Sequence, residues 1–183
     1  MPDEYFLRPG AITRRFTMFI SSGSDVHQER DFFESAVKAA NDQYQRYRTA
    51  AAPFYLDTDR WENDAARRTT EMNAEFVRRA KASHATVVLL ADEVRRGTRE
   101  EIEGVLEVGD VQLSVIWMIR PGSERKAGPL KKFLREHENE IAYYKTGEPG
   151  SRDAALAVFR VINAAFADLT NPHRTEALFS EER

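Results

Sequence analysis

Cysteine is absent from this chain of 183 residues, and so is any long apolar run. Without cysteine there can be no disulfides and no thiolate metal site, which fits a reducing compartment. No segment approaches the ~18 to 20 consecutive apolar residues of a membrane span. The first ten residues, MPDEYFLRPG, carry acids and no apolar core of a signal peptide. These absences predict a cytoplasmic protein with no membrane partner.

An excess of positive charge is also lacking. The chain has 27 lysines and arginines against 30 aspartates and glutamates, for a formal net charge of −3. It therefore has no global basic field of the kind that attracts nucleic acid. We expect no nucleic-acid partner.

Several catalytic and phosphate-binding motifs are missing. Neither GxGxxG nor GxxxxGK[ST] occurs, which argues against a Rossmann dehydrogenase or a P-loop enzyme. The four histidines show no HExxH or comparable spacing, and no GxSxG elbow is present. The sequence predicts neither a metal site nor a serine hydrolase.

Short apolar runs alternate with amphipathic segments along an otherwise ordinary composition, 42% hydrophobic and 31% charged. The run Ala85–Ala91 is apolar on both faces, as in a central parallel strand, whereas 141–144 is short and is expected at an edge. The alternation predicts an α/β fold with a mostly parallel five-stranded sheet and helices on both faces. We expect one domain over 1–171 and a polar tail over 172–183. Strands are predicted at 16–20, 54–56, 85–91, 111–119 and 141–144, and the last helix at about 152–169.

The stretch GTREEIEG, residues 97–104, places three carboxylates directly after a Gly-Thr step. Thr98 and Glu101 have the spacing of a capping box, in which Glu101 would fold back onto the start of its own helix. Alternatively, one carboxylate faces a pocket. At ~100 degrees per residue, Glu101 lies about 90 degrees from the apolar line of this helix, while Glu100 points away from the core. The residues alone leave both interpretations open.

The loops that follow the predicted strands define where a site is expected, because ligands of open parallel sheets bind at the carboxyl ends of strands. These loops hold small hydroxyl residues, a tryptophan and several arginines. Arginines suit phosphates, an indole face suits a base, and a carboxylate suits a sugar. Each residue could instead cap a helix, pack or face solvent. The candidate substrate-binding residues are Ser21, Ser22, Gly23, Asp25, Arg60, Trp61, Arg95, Gly97 and Thr98.

Two stretches together resemble a known superfamily. MFISSGSD, residues 18–25, leads through Glu29-Arg30 into a helix, and GTREEIE follows an apolar strand. These stretches resemble the TIR-like and nucleoside 2-deoxyribosyltransferase-like superfamily, especially the bacterial TIR-like branch with a "FISS…ER" pattern. Trp61-Glu62 is similar to that branch as well. The resemblance covers roughly residues 16–119.

The resemblance implies a flavodoxin-like three-layer fold and cleavage of N-glycosidic bonds, in nucleosides, nucleotides or NAD. It implies that Glu101 is the catalytic glutamate and that NAD is a substrate rather than a cofactor. It further implies a bacterial defence or signalling effector that acts as a homo-oligomer or with a regulatory protein partner. Many other members are adaptors without catalysis.

The chemistry agrees with a single carboxylate. Cleavage builds oxocarbenium character at the anomeric carbon, which a nearby carboxylate stabilises. Nicotinamide is cationic before it departs and therefore needs no proton from a general acid. We expect NAD cleavage of the NADase or ADP-ribose cyclase type. The alternatives are a nucleoside or nucleotide N-glycosidase or deoxyribosyltransferase, and a non-catalytic nucleotide-binding or scaffold domain.

Overall fold

Strands and helices alternate in the computed structural model, which describes residues 14–46, 54–60, 70–109, 111–121 and 127–169. Within these residues, no helix is both long and apolar enough to cross a membrane. The predicted tail, 172–183, lies outside them. The elements are β1 (Arg14–Ser22), α1 (His27–Arg46), β2 (Phe54–Arg60), α2 (Thr70–Ala82), β3 (Ala85–Leu90), α3 (Arg96–Val108), β4 (Gln112–Met118), α4 (Gly128–Glu136), β5 (Ala142–Thr146) and α5 (Arg152–Leu169).

The five strands form one parallel sheet in the order β2-β1-β3-β4-β5. This is the strand order of flavodoxin-like folds, and it confirms the predicted α/β class. β3 is central and β5 is at an edge, both as predicted. All six residues of β3 are buried because helices cover both faces of the sheet.

Two apolar clusters lie on opposite faces of this sheet. One joins alternate residues of β1 and β3 to α1 and α5, with Phe33 and Val158 at its centre. The other joins the opposite faces of the same strands to α2, α3 and α4, through Ile102 and Phe133. The alternation of strand residues between two cores makes the fold a three-layer sandwich.

β2 extends four residues beyond the predicted 54–56. Asp57 to Arg60 are polar, yet their backbone pairs in parallel with Thr17 to Ile20 of β1. On an edge strand these polar side chains reach neighbours instead of a core: Asp59 accepts hydrogen bonds from Arg79 of α2. The apolar pattern therefore stops before the strand does.

The outer edge of β2 is closed by one side chain of α1. Asn41, buried to 3% exposure, donates from Nδ2 to the Leu56 carbonyl at 2.9 Å and accepts from the Leu56 N–H at 3.1 Å. The Asn41 amide thus takes the place that a further strand would occupy at Leu56.

Candidate functional site

The candidate site lies where the strand order reverses, between β1 and β3. β1 leads outward to β2, and the chain then returns to place β3 on the other side of β1. In flavodoxin-like sheets the crevice at this switch point receives the ligand. The two segments that would form the walls of such a crevice here are residues 23–26, after β1, and residues 91–95, between β3 and α3.

Glu101 and Ser21 meet at this switch point. Ser21 is fully buried at the end of β1, and Glu101 is 7% exposed in the second turn of α3. The Ser21 hydroxyl donates a hydrogen bond to Oε2 of Glu101, across 80 positions of sequence. The two residues that the sequence placed in one cleft are therefore in direct contact.

The environment of Glu101 disfavours its charge. Burial raises the pKa of Glu101 from 4.5 to about 7, because the carboxylate loses its water. The hydrogen bond from Ser21 acts in the opposite direction, and the neighbouring charge of Glu100 adds to the rise. At neutral pH this carboxyl group is present in both protonation states, which suits acid–base or electrostatic work.

The capping-box interpretation of Thr98 and Glu101 is wrong. α3 begins at Arg96 rather than at Thr98, Arg95 is its N-cap, and no side chain in the described part of the protein caps it. Thr98 is instead buried inside the first turn, at 4% exposure. Since Glu101 does not bind its own helix start, its side chain serves the contact with Ser21.

Glu100 is held outside the site, as its helical position predicts. Its carboxylate accepts from Arg96 at 2.7 Å and from Asn73 of α2 at 3.1 Å. These hydrogen bonds, that of Arg96 first, lower the pKa of Glu100. Gly97 lies against the same Asn73, whose Oδ1 is 3.3 Å from where a Cβ on Gly97 would sit. Gly97 therefore packs against α2 at the start of α3.

Ser22 supports the loop after β1. Its hydroxyl accepts from Nη1 of Arg30 at 2.8 Å, and the same nitrogen donates to the Gly23 carbonyl at 3.1 Å. Arg30 is fully buried, and its Nη2 lies 2.6 Å from Nδ1 of His27. Ser22 is therefore engaged in holding this loop.

Glu29, which precedes Arg30 in the sequence, binds the segment that follows β4. Its fully buried carboxylate accepts from Nε and Nη2 of Arg120, both at 2.9 Å, in a bidentate pair. Arg120 follows β4 and also donates to the Asp25 carbonyl. Glu29 and Arg30, the "ER" residues of the sequence pattern, thus hold the segments after β4 and β1 in position.

Arg95 and Asp25 connect the two walls of the crevice. Nη2 of Arg95 lies 3.0 Å from Oδ1 of Asp25, and Nη1 donates to the Ser24 hydroxyl at 2.9 Å. Nε of Arg95 lies 3.4 Å from the exposed Glu93. The side chains of Arg95 and Asp25 are 41% and 31% exposed, and partly exposed pairs of this kind contribute about 0 to 1 kcal/mol.

Of the remaining candidates, Arg60 ends β2, and Trp61 lies outside the described residues, so its stacking role stays a prediction. Sequence reasoning missed Asn73, because nothing in α2 signals a contact with α3. It also missed Asp92, whose Oδ1 is buried with no hydrogen-bond partner among the described residues. Asp92 follows β3, at the same crevice.

The fold and this site define a flavodoxin-like α/β protein with a buried carboxylate at the switch point of its sheet. A comparison with protein-family models finds no match, and neither does one with curated proteins. Among solved structures, the chain is similar to a rubredoxin oxygen:oxidoreductase from the anaerobe Desulfovibrio gigas, at 9% identity and a TM-score of 0.50. The match covers 85% of this chain and 37% of that one. At this identity the likeness shows the fold alone.

Proposed function

We propose that this protein cleaves the N-glycosidic bond of NAD, with Glu101 as the catalytic carboxylate. The observation that carries the proposal is the buried contact of Glu101 with Ser21 at the β1/β3 switch point. The TIR-like resemblance of MFISSGSD and GTREEIE adds support. Glu101 does not cap its own helix, which leaves its carboxylate available for this role.

In the proposed reaction, the bond between the anomeric carbon and the nicotinamide nitrogen breaks, and both electrons go to nicotinamide, which leaves neutral. The ionised carboxylate of Glu101 stabilises the positive charge that develops on the ribose. Water then adds to the anomeric carbon and loses a proton. In a cyclase reaction, a nitrogen of the adenine takes the place of water.

Ser21 is a positioning residue in this scheme. Its hydroxyl holds Oε2 of Glu101, so the other oxygen is the one available to the sugar. The hydrogen bond also favours the ionised form that the reaction needs, against the effect of burial.

Base release from NAD tests the proposal. Purified protein, dilute and concentrated, is incubated with NAD and a panel of nucleosides and nucleotides, and free base is measured by chromatography. We expect Glu101→Gln to lose release by about 100-fold or more, because the amide cannot stabilise positive charge. Glu100→Gln is the matched control, since Glu100 binds Arg96 and Asn73 outside the site. Release by Glu101→Gln at the wild-type rate would refute the proposal.

A nucleoside or nucleotide N-glycosidase is the second candidate, and the raised pKa of Glu101 favours it. A neutral base leaves more easily when it is protonated, and a carboxyl with a pKa of about 7 can donate that proton near neutral pH. The two candidates differ in the direction of their pH dependence. If Glu101 acts as an acid, base release falls as the pH rises above 7, whereas NAD cleavage by the carboxylate falls as the pH drops below 7.

We also propose the wider setting that the resemblance implies: a bacterial defence or signalling effector in the cytoplasm, controlled by self-association or by a protein partner. Oligomerisation predicts that specific activity rises with protein concentration. The dilute and concentrated incubations therefore test it directly, and equal specific activity in both would argue against self-association as the control.

A further inference from the structure

We infer that Arg95 and Asp25 form an exchangeable ion pair that selects substrates carrying a phosphate: the phosphate takes the place of the Asp25 carboxylate on the Arg95 guanidinium. This inference rests on the proposed function and assigns the side chains that recognise a phosphate of its substrate.

The pair has the geometry of an occupied anion site. Arg95 offers a planar fork of donors, and in this structure the fork faces the Asp25 carboxylate at 3.0 Å and the Ser24 hydroxyl at 2.9 Å. A phosphate matches the same fork and carries more charge than a carboxylate. Both partners are partly exposed, at 41% and 31%, so an incoming anion can reach them.

The neighbouring ion pair shows the contrast. Glu29 and Arg120 join the first turn of α1 to the segment after β4, but the Glu29 carboxylate is completely buried and bound through two nitrogens of Arg120. Exchange there would leave a buried charge unpaired, which is costly. Of these two pairs, Arg95 with Asp25 is the one suited to exchange.

The pair and Glu101 belong to the same two parts of the chain, the end of β1 and the start of α3. Arg95 and Glu101 are six residues apart at the start of α3, which corresponds to a rise of about 9 Å. Asp25 follows Ser21 by four residues on the opposite wall. In a nucleotide, the ribose ring and one methylene group separate the anomeric carbon from the 5′-phosphate.

The loop is built to bring the two side chains together. A Cβ added to Gly23 would lie 2.5 Å from Oδ1 of Asp25 and 3.1 Å from Cδ of Arg95. Only a residue without a side chain at position 23 leaves both members of the pair in their present places.

Equilibrium binding to the Glu101→Gln variant of the 183-residue protein tests the inference without turnover. The ligands are nicotinamide mononucleotide and nicotinamide riboside, which differ by one 5′-phosphate. In this Glu101→Gln background, a second substitution, Arg95→Gln, should weaken binding of the mononucleotide about tenfold or more, because it removes a hydrogen-bonded charge pair. It should change binding of the riboside less than about twofold. In the same background, Asp25→Asn, which removes the nearer of the two carboxylates beside Arg95, should tighten binding of the mononucleotide alone. Glu103→Gln, an exposed charge on α3, is the control and should change neither.

The outcomes separate the inference from the proposed function. Equal effects of Arg95→Gln on both ligands, or no effect on either, would overturn the inference while base release by the wild type leaves the function intact. Binding of the mononucleotide that depends on Arg95, in a protein that releases no base, would support the inference and overturn the function. Absence of binding of either ligand would overturn the inference.

Discussion

At the scale of the single residue, Glu101 combines a charge-bearing group with a buried position. A carboxylate at 7% exposure is unfavourable in a folded protein unless it is well paired, and here one hydroxyl and no cation contacts it within the described residues. Such a group persists where it serves a purpose other than stability. This is the physical reason to regard Glu101 as functional.

Ser21→Ala should move the pH dependence of NAD cleavage. The Ser21 hydrogen bond lowers the pKa of Glu101 against the effect of burial, so its loss raises that pKa further. The acid limb of kcat/KM should therefore shift to higher pH. A pH series for the wild type, for Ser21→Ala and for the exposed control Ser35→Ala measures this shift. An unchanged acid limb in Ser21→Ala would assign the serine a purely structural role.

Glu101→Gln should stabilise the folded protein at alkaline pH. Because the pKa is about 7 in the folded state and near 4.5 in the unfolded chain, the unfolded state releases this proton first, and stability falls as pH rises from about 4.5 to 7. The full difference is roughly 3 kcal/mol. Urea unfolding at pH 5 and pH 8 should show the variant gaining stability over the wild type mainly at pH 8. Glu100→Gln, whose parent carboxylate has a lowered pKa, should show no such gain.

At the scale of the element, the buried face of α3 could be predicted from the sequence, whereas the residue at which the helix begins could not. The apolar spacing of Ile102 and Val105 predicts the buried face of this helix and the side on which Glu101 lies. The position of the helix start could not be predicted, because Arg95 is not a preferred capping residue and no capping signal marks the true start. The extension of β2 could not be predicted for a related reason. An edge strand can pair its backbone with β1 even where its side chains are polar, so no apolar pattern marks those residues.

Gly104→Ala should destabilise the protein through the contact of α3 with α2. A Cβ at this position would lie 2.7 Å from Cγ1 of Val77 and 3.1 Å from Cε of Lys81. Alanine adds about 1 kcal/mol of helix propensity, but overpacking costs about 1 to 3 kcal/mol and the branched Val77 has little rotamer freedom. We expect a net loss in urea unfolding.

The matched control removes the clashing methyl group. In a Val77→Ala background, Gly104→Ala should become neutral or stabilising, because only the propensity gain remains. An equal loss in both backgrounds would show that the close approach of Val77 is not the cause.

At the scale of the whole molecule, the contacts that complete the site join distant parts of the chain. The sequence predicted the α/β class and the central β3 from local periodicity, and it placed Ser21 near Glu101 because ligands of parallel sheets bind at the carboxyl ends of strands. That placement rested on the position of both residues beyond predicted strand ends. The sequence did not predict the pairing of Glu29 with Arg120, which are 91 positions apart. Periodicity describes neighbours along one element, and it contains no information on which charged side chains meet across loops.

Within the described residues the sheet has two edge strands, β2 and β5, and Asn41 covers the outer side of β2 at Leu56. Asn41→Ala should leave the Leu56 N–H and carbonyl without their present partner, at a cost of about 1 to 3 kcal/mol, and should promote edge-to-edge association. Urea unfolding and sedimentation velocity over a concentration series measure the two effects. The control is Asn163→Ala on the exposed side of α5, whose amide bonds only its own helix at Phe159. Stability and sedimentation of Asn41→Ala equal to those of this control would contradict the protective role.

The contacts between distant residues also determine when, during its synthesis, the protein acquires its site. The hydrogen-bond partners of Ser21, Ser24 and Glu29 lie 71 to 91 positions later in the chain and are therefore synthesised later. At roughly 5 to 20 residues per second, translation separates the segment after β1 from Arg120 by about 5 to 20 seconds. Nascent chains on the ribosome therefore lack an assembled crevice, and a chain that stops before Arg120 never forms one. If the proposed activity consumes NAD, the topology delays that activity in each copy at least until Arg120 has been synthesised.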